Sequence, residues 1–133
     1  MRLPSPLALI SMVFALCTLY LMEHFGFWTG FLSHPFWSQK VNWTGMGIGF
    51  AVSLILHMLV KVNRRRLFLT ALVFAVAAIG LFFLTSISKE TFAASFAENQ
   101  LAGKLWFFGF MAYIAALFTL ASFAVTALLT EKN

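Results

Sequence analysis

Apolar and polar positions fall into long blocks along this chain. Four runs, at about 6–22, 43–60, 67–87 and 105–130, contain no Asp, Glu, Lys or Arg, and the charged residues are confined to the segments between and beyond them. Each run is close to the roughly 20 residues that carry an α-helix across about 30 Å of hydrocarbon. A spanning segment must satisfy its own backbone hydrogen bonds, so runs of this kind predict helices. The pattern predicts an all-α integral membrane protein of one domain, residues 1–133, with four transmembrane helices. Ser5-Pro6 suits the first helix start, since Ser caps and Pro is tolerated in the first turn.

Composition agrees with the pattern. Of 133 residues, 62% are hydrophobic and 10% charged, and the mean hydropathy is +0.92, where soluble domains average roughly 45–50% apolar. Met1-Arg2 followed by an apolar run resembles a signal peptide. Its core is long, however, and Tyr20, Met22, Glu23, His24 and Phe25 occupy the place of a small-residue cleavage site, so the run reads as a retained helix. Phe14-Ala15-Leu16 before Cys17 likewise lacks the small residue of a lipoprotein box.

Charge gives orientation. Lys61, Arg64, Arg65 and Arg66 crowd the turn between the second and third runs, whereas the first connection has Lys40, and the third has Lys89 and Lys104 offset by Glu90 and Glu98. Basic residues in short loops stay cytoplasmic, so Lys61, Arg64, Arg65 and Arg66 are read as the topology anchor, and both termini, with Arg2 and Lys132, fall on the same side. The expected location is a bacterial inner membrane. The net charge of +5 is then explained by topology and anionic headgroups, with no call for nucleic acid as a partner.

The 23–42 connection, EHFGFWTGFLSHPFWSQKVN, holds Phe25, Phe27, Trp28, Phe31, Phe36 and Trp37, with Trp43 just beyond. That density of rings suits the headgroup zone, and the loop is expected to lie along the outer surface or dip into it. The 61–66 turn is short, so the second and third helices are expected to be antiparallel neighbours. In the third connection Phe92 and Phe96 stand four apart, and Ser95-Phe96-Ala97-Glu98 fits a capping box, which suggests a short interfacial helix.

Helices gain little by moving apolar side chains from lipid to one another, so small residues mark where backbones approach. Gly45, Gly49 and Ser53 on the second helix and Ala112, Ala116 and Thr119 on the fourth are the expected packing interface. The fourth helix carries small residues on several sides, including Ala115, Ser122 and Thr126, which suggests more than one partner surface. Gly45-x-Gly47-x-Gly49 lacks the strand and continuing pattern of a dinucleotide site.

Candidate chemistry is sparse. No Asp, Glu, Lys or Arg lies within a run, which disfavours a proton-coupled exporter with a central carboxylate. His24 and His34 are expected near the outer surface, where with Glu23 they are candidates for a haem, quinone or metal contact; His57 lies near the opposite face and cannot share an iron with His24. Glu23 is expected to stay hydrated or to pair with His24 or Lys40. Cys17, the sole cysteine, is expected to fill space. Asn42-Trp43-Thr44 matches a glycosylation sequon but abuts the membrane. No nucleophile elbow, phosphate loop, metal cluster or paired carboxylate is present, so neither enzyme activity nor a cofactor is expected.

Two functions fit these features. One is a noncatalytic accessory or assembly subunit of a larger membrane complex, with lipids and other membrane subunits or its own copies as partners. The other is a small oligomeric transporter or pore lined by hydroxyls such as those of Thr119, Ser122 and Thr126. A holin-like or immunity-type protein is a variant of these.

Overall fold

The computed structural model describes residues 3–29 and 32–130; Arg2, Phe31, Lys132 and Asn133 lie outside the described residues. Four helices follow in order: α1 (Pro6–His24), α2 (Ser38–Leu59), α3 (Arg64–Ala94) and α4 (Gln100–Leu129). All four are long and apolar enough to cross a membrane, and no strand occurs among the described residues. The chain is an all-helical, multi-pass membrane protein on these grounds.

Local chemistry explains the helix starts. The Ser5 side chain accepts a hydrogen bond from the Ala8 amide at 3.2 Å, the Asn63 carboxamide accepts from the Arg65 amide at 2.9 Å, and the Asn99 carboxamide accepts from the Ala102 amide at 3.0 Å. Each cap satisfies one amide that the first helical turn leaves unpaired. α3 and α4 run further than the uncharged runs. At about 1.5 Å per residue, the 31 residues of α3 extend about 46 Å, well beyond the hydrocarbon thickness. Charged residues such as Lys89 and Lys104 sit on these extensions, since a charge past the bilayer edge does not end a helix.

No separate helix forms in the third connection. Residues 88–94 continue α3, and the reversal is confined to 95–99. Ser95 caps the C-terminus of α3: its hydroxyl donates to the Phe92 carbonyl at 2.8 Å and accepts from the Asn99 amide at 3.0 Å. Phe96 and Ala97 take positive φ values of 54° and 64° to turn the chain. Phe92 explains why the helix persists, because its ring lies against Gly103, where a Cβ would stand 2.8 Å from the ring, and 5.8 Å from the Trp106 ring.

α4 is the hub. It packs against α3, α2 and α1; α1 also packs against α2; among the described residues α2 and α3 do not pack along their lengths, nor do α1 and α3. This corrects the expectation that the short 61–66 turn makes α2 and α3 neighbours. A short turn holds only the helix ends together, and there Leu56 and Val60 join a cluster of Leu67, Ala71, Phe123 and Ala127. Beyond that cluster the two helices take opposite sides of α4. Gly109 admits α3, where a Cβ would lie 3.0 Å from the Thr85 hydroxyl, and α2 approaches on its own glycines.

All four tryptophans gather at the end of the bundle that carries the 23–42 connection. Trp28 and Leu32 are buried at 3% and 0% exposure, with Trp28 edge-on to Tyr113 at 5.3 Å. The Trp106 indole N–H donates to the Leu32 carbonyl at 2.7 Å, and Trp37 meets Trp106 at 5.2 Å. The loop therefore dips into the bundle and plugs it. Anchors of this size resist withdrawal, since pulling them out would expose large apolar rings.

Candidate functional site

The small residues of α2 form a real seam with α4. A Cβ on Gly45 would lie 2.8 Å from both the Ile114 Cβ and the Met111 carbonyl oxygen, and one on Gly49 would lie 2.6 Å from the Phe118 Cβ and 2.9 Å from the Ala115 carbonyl. Gly47 faces open space. Ser53 is fully buried, and its hydroxyl has no hydrogen-bond partner among the described residues. Four residues on again is His57, whose Nε2 lies 2.7 Å from the Ser122 hydroxyl and whose ring stacks on Phe123 at 4.0 Å and 5°. Gly45, Gly49, Ser53 and His57 thus form one i±4 row, the ridge by which helices commonly interdigitate.

On α4, Ala116 and Thr119 are buried inside the chain, at 6% and 0% exposure. Ala112 is exposed, on an outward stripe with Leu101, Leu105 and Phe108. The hydroxyls of α4 are spent locally: Thr119 donates to the Ala115 carbonyl at 3.0 Å, Thr126 donates to the Ser122 carbonyl at 2.7 Å, and Ser122 pairs with His57. Of these three, the Ser122 hydroxyl joins two helices, and the two threonine bonds stay within α4. The His57–Ser122 pair was not singled out in the sequence, although the four-residue row through Gly45, Gly49 and Ser53 points straight to it.

The anchor residues Lys61, Arg64, Arg65 and Arg66 stand at the end opposite the tryptophans, with the Arg64 guanidinium 5.5 Å from the Phe68 ring centre. His24 and His34 are both exposed and have separate surroundings. His24 lies against Tyr20 at 6.0 Å, whereas His34 lies 5.6 Å from Trp106, and its Nδ1 accepts from the Phe36 amide at 3.0 Å. That bond occupies one of the two nitrogens His34 would offer a ligand. No cluster of three or more His, Cys, Asp or Glu able to hold a metal occurs among the described residues.

Among the described residues Glu23 pairs with neither His24 nor Lys40 and bonds Ser38 instead. Its Oε2 accepts from the Ser38 hydroxyl at 3.0 Å, and Ser38 in turn shares a 2.7 Å hydrogen bond with Ser33. The acid therefore ties the end of α1 to the start of α2. Beside it is a cavity of about 270 Å³ whose walls include Glu23, His24, Gln39 and Asn42, with the rings of Tyr20 and Trp43. Asn42 is 1% exposed, so the sequon acceptor is not presented to a glycosyl donor. Cys17 is exposed on α1 and is not a packing residue of the interior.

The surface also carries apolar grooves, one of about 490 Å³ lying between Ala75, Ile79 and Phe83 of α3 and Leu117 and Leu120 of α4. Another of about 630 Å³ lies between α1 and α3, walled by Thr18, Leu19 and Phe82 and floored by Tyr113, Leu117 and Ala121 of α4. A third, of about 380 Å³, runs along α1 past Leu16, Cys17 and Leu21 to Tyr20 and Trp43. No protein-family model, curated protein or solved structure matches the chain.

Proposed function

We propose that the chain is a noncatalytic subunit of a larger integral-membrane assembly, seated in a bacterial inner membrane with the tri-arginine turn and both termini in the cytoplasm. The orientation is supported by Lys61, Arg64, Arg65 and Arg66 at one end of the bundle and by the four tryptophans at the other, the placement that the positive-inside bias and aromatic interfacial belts favour.

One observation carries the functional reading: the bundle is open. α1 and α3 both lean on α4 and leave a groove of about 630 Å³ between them, lined by apolar side chains of the kind that fill helix–helix interfaces. Side chains of a transmembrane helix from another subunit could pack into that opening as they do at helix–helix interfaces. The burial and internal bonding of Thr119, Ser122 and Thr126 weigh against the transporter reading, whose pathway would need those hydroxyls free.

Purification in mild detergent, with mass spectrometry of the chains that come along, tests the proposal. Ala121→Trp fills the groove floor and is expected to lower recovery of a partner chain about tenfold, a change equivalent to about 1.4 kcal/mol. Ala112→Leu adds bulk to the outward stripe of α4, and loss with that variant alone would move the partner there. Ala116→Leu cannot report docking, because Ala116 is packed inside the chain. Purification without any partner, together with ion or solute flux in liposomes carrying this chain alone, would refute the subunit reading.

A further inference from the structure

The polar cavity beside Glu23 and the groove along α1 share two residues, Tyr20 and Trp43, whose rings meet at 5.7 Å. The two hollows therefore adjoin at these rings, the polar one at the tryptophan end of the bundle and the apolar one along α1. From this geometry we infer that together they form a site that binds a phospholipid with a primary ammonium headgroup, of the phosphatidylethanolamine class, with its head in the cavity and one acyl chain in the groove.

The cavity wall selects for N–H donors. Glu23 presents a carboxylate whose one hydrogen-bond partner among the described residues is Ser38. Asn42 is 1% exposed, and its carboxamide oxygen has no hydrogen-bond partner among the described residues. Among the described residues its amide nitrogen reaches only the Met46 sulfur, at 3.9 Å. A buried amide oxygen left unpaired is costly, and native structures rarely retain one without a ligand, ion or water to meet it. A primary ammonium offers three donors, enough to meet both acceptors at once.

The rings add to this. Tyr20 and Trp43 are among the walls of the cavity, and tryptophan is the most favourable ring for contact with a cation. His24 and Gln39, both exposed at the rim, supply N–H groups for the phosphate. Anionic headgroups without an ammonium would set their charge against Glu23, and a trimethylated ammonium has no N–H for Asn42. Below the rings, Leu16, Cys17 and Leu21 offer an apolar channel, which a soluble amine has no use for. The length of the site thus matches an amphiphile and exceeds an ammonium alone.

The test uses the full chain, delipidated in detergent and titrated with short-chain lipids, with bound lipid counted by native mass spectrometry. Phosphatidylethanolamine is expected to bind about tenfold more tightly than phosphatidylcholine or phosphatidylglycerol of the same chain length. Glu23→Gln keeps the shape and the Ser38 contact, and it is expected to erase that preference. Cys17→Trp blocks the groove and is expected to weaken phosphatidylethanolamine binding about tenfold while leaving thermal unfolding of the lipid-free chain unchanged. Equal binding of the three lipids would overturn the inference, as would a preference that survives Glu23→Gln. Displacement of bound lipid by free ethanolamine at matched concentration would overturn the assignment to a lipid, because the groove would then contribute nothing.

Discussion

Replacing Gly49 with alanine is expected to destabilise the protein, while the same change at Gly47, two residues away, is expected to be neutral or stabilising. The new methyl at position 49 would stand 2.6 Å from the Phe118 Cβ and 2.9 Å from the Ala115 carbonyl oxygen. Neither atom is the free end of a flexible side chain, so α2 and α4 would have to separate along the whole seam. Overpacking of this kind costs typically 1–3 kcal/mol, against which alanine returns up to about 1 kcal/mol of helix propensity. Gly45→Ala meets Ile114 and Met111 in the same way and should behave alike. A leucine at either site would exceed this range and drive α2 off α4. Unfolding in mixed micelles, followed by circular dichroism, measures the difference. Equal stability for the two alanine variants would show that α2 and α4 are not in backbone contact.

His57→Ala is expected to cost about 2–4 kcal/mol, the range for truncating a buried ring and leaving its hydrogen-bond partner unmet. The histidine ring lies flat on Phe123 and bonds Ser122, so the substitution removes a stack and a polar pair together. Ser122→Ala removes only the second and should cost about 1 kcal/mol, in line with interhelical hydrogen bonds measured in membranes. His57→Phe keeps the stack and loses the bond, so it should fall near Ser122→Ala. The double variant His57→Phe with Ser122→Ala should cost less than the two single costs added, because both remove one shared interaction. Strict additivity would separate His57 from Ser122.

The spans were legible because they depend on solvent alone. Uncharged runs of this length have no stable home in water, and the residues that bound them are charged. The row on α2 was readable for a related reason: glycine marks where two backbones approach, and a Cβ at position 45 or 49 would meet α4 within 3 Å. Partner identity was not legible. The 61–66 turn brings helix ends together, yet the glycines of α2 and Gly109 of α4 place α4 between α2 and α3. Small residues on several sides of α4 hinted at that role without saying which helix meets which face, and they gave no sign that Ala112 is exposed while Ala116 is buried.

The ends of α3 and α4 as helices differ from the ends of the uncharged runs for a physical reason. Hydropathy reports the bilayer edge, and these helices continue past it until Asn99 and the positive-φ pair Phe96 and Ala97 reverse the chain. Around the candidate site, the acid Glu23 was visible as unusual, but its partner depended on the fold of the 23–42 connection. Ser38 reaches it only because the loop tucks Trp28 and Leu32 into the bundle. Asn42 looked like part of a sequon, and its burial against α1 could not be read from neighbours in the chain.

In the proposed orientation the tryptophan end and the arginine end of the four-helix bundle face opposite sides of one membrane. Single cysteines at Pro35, Lys61 and Ala97, each in a Cys17→Ala background, can be probed in intact cells with a membrane-impermeant maleimide. Labelling is expected at positions 35 and 97 without lysis and at 61 only after it. Labelling of all three in intact cells, or of position 61 alone, would contradict it.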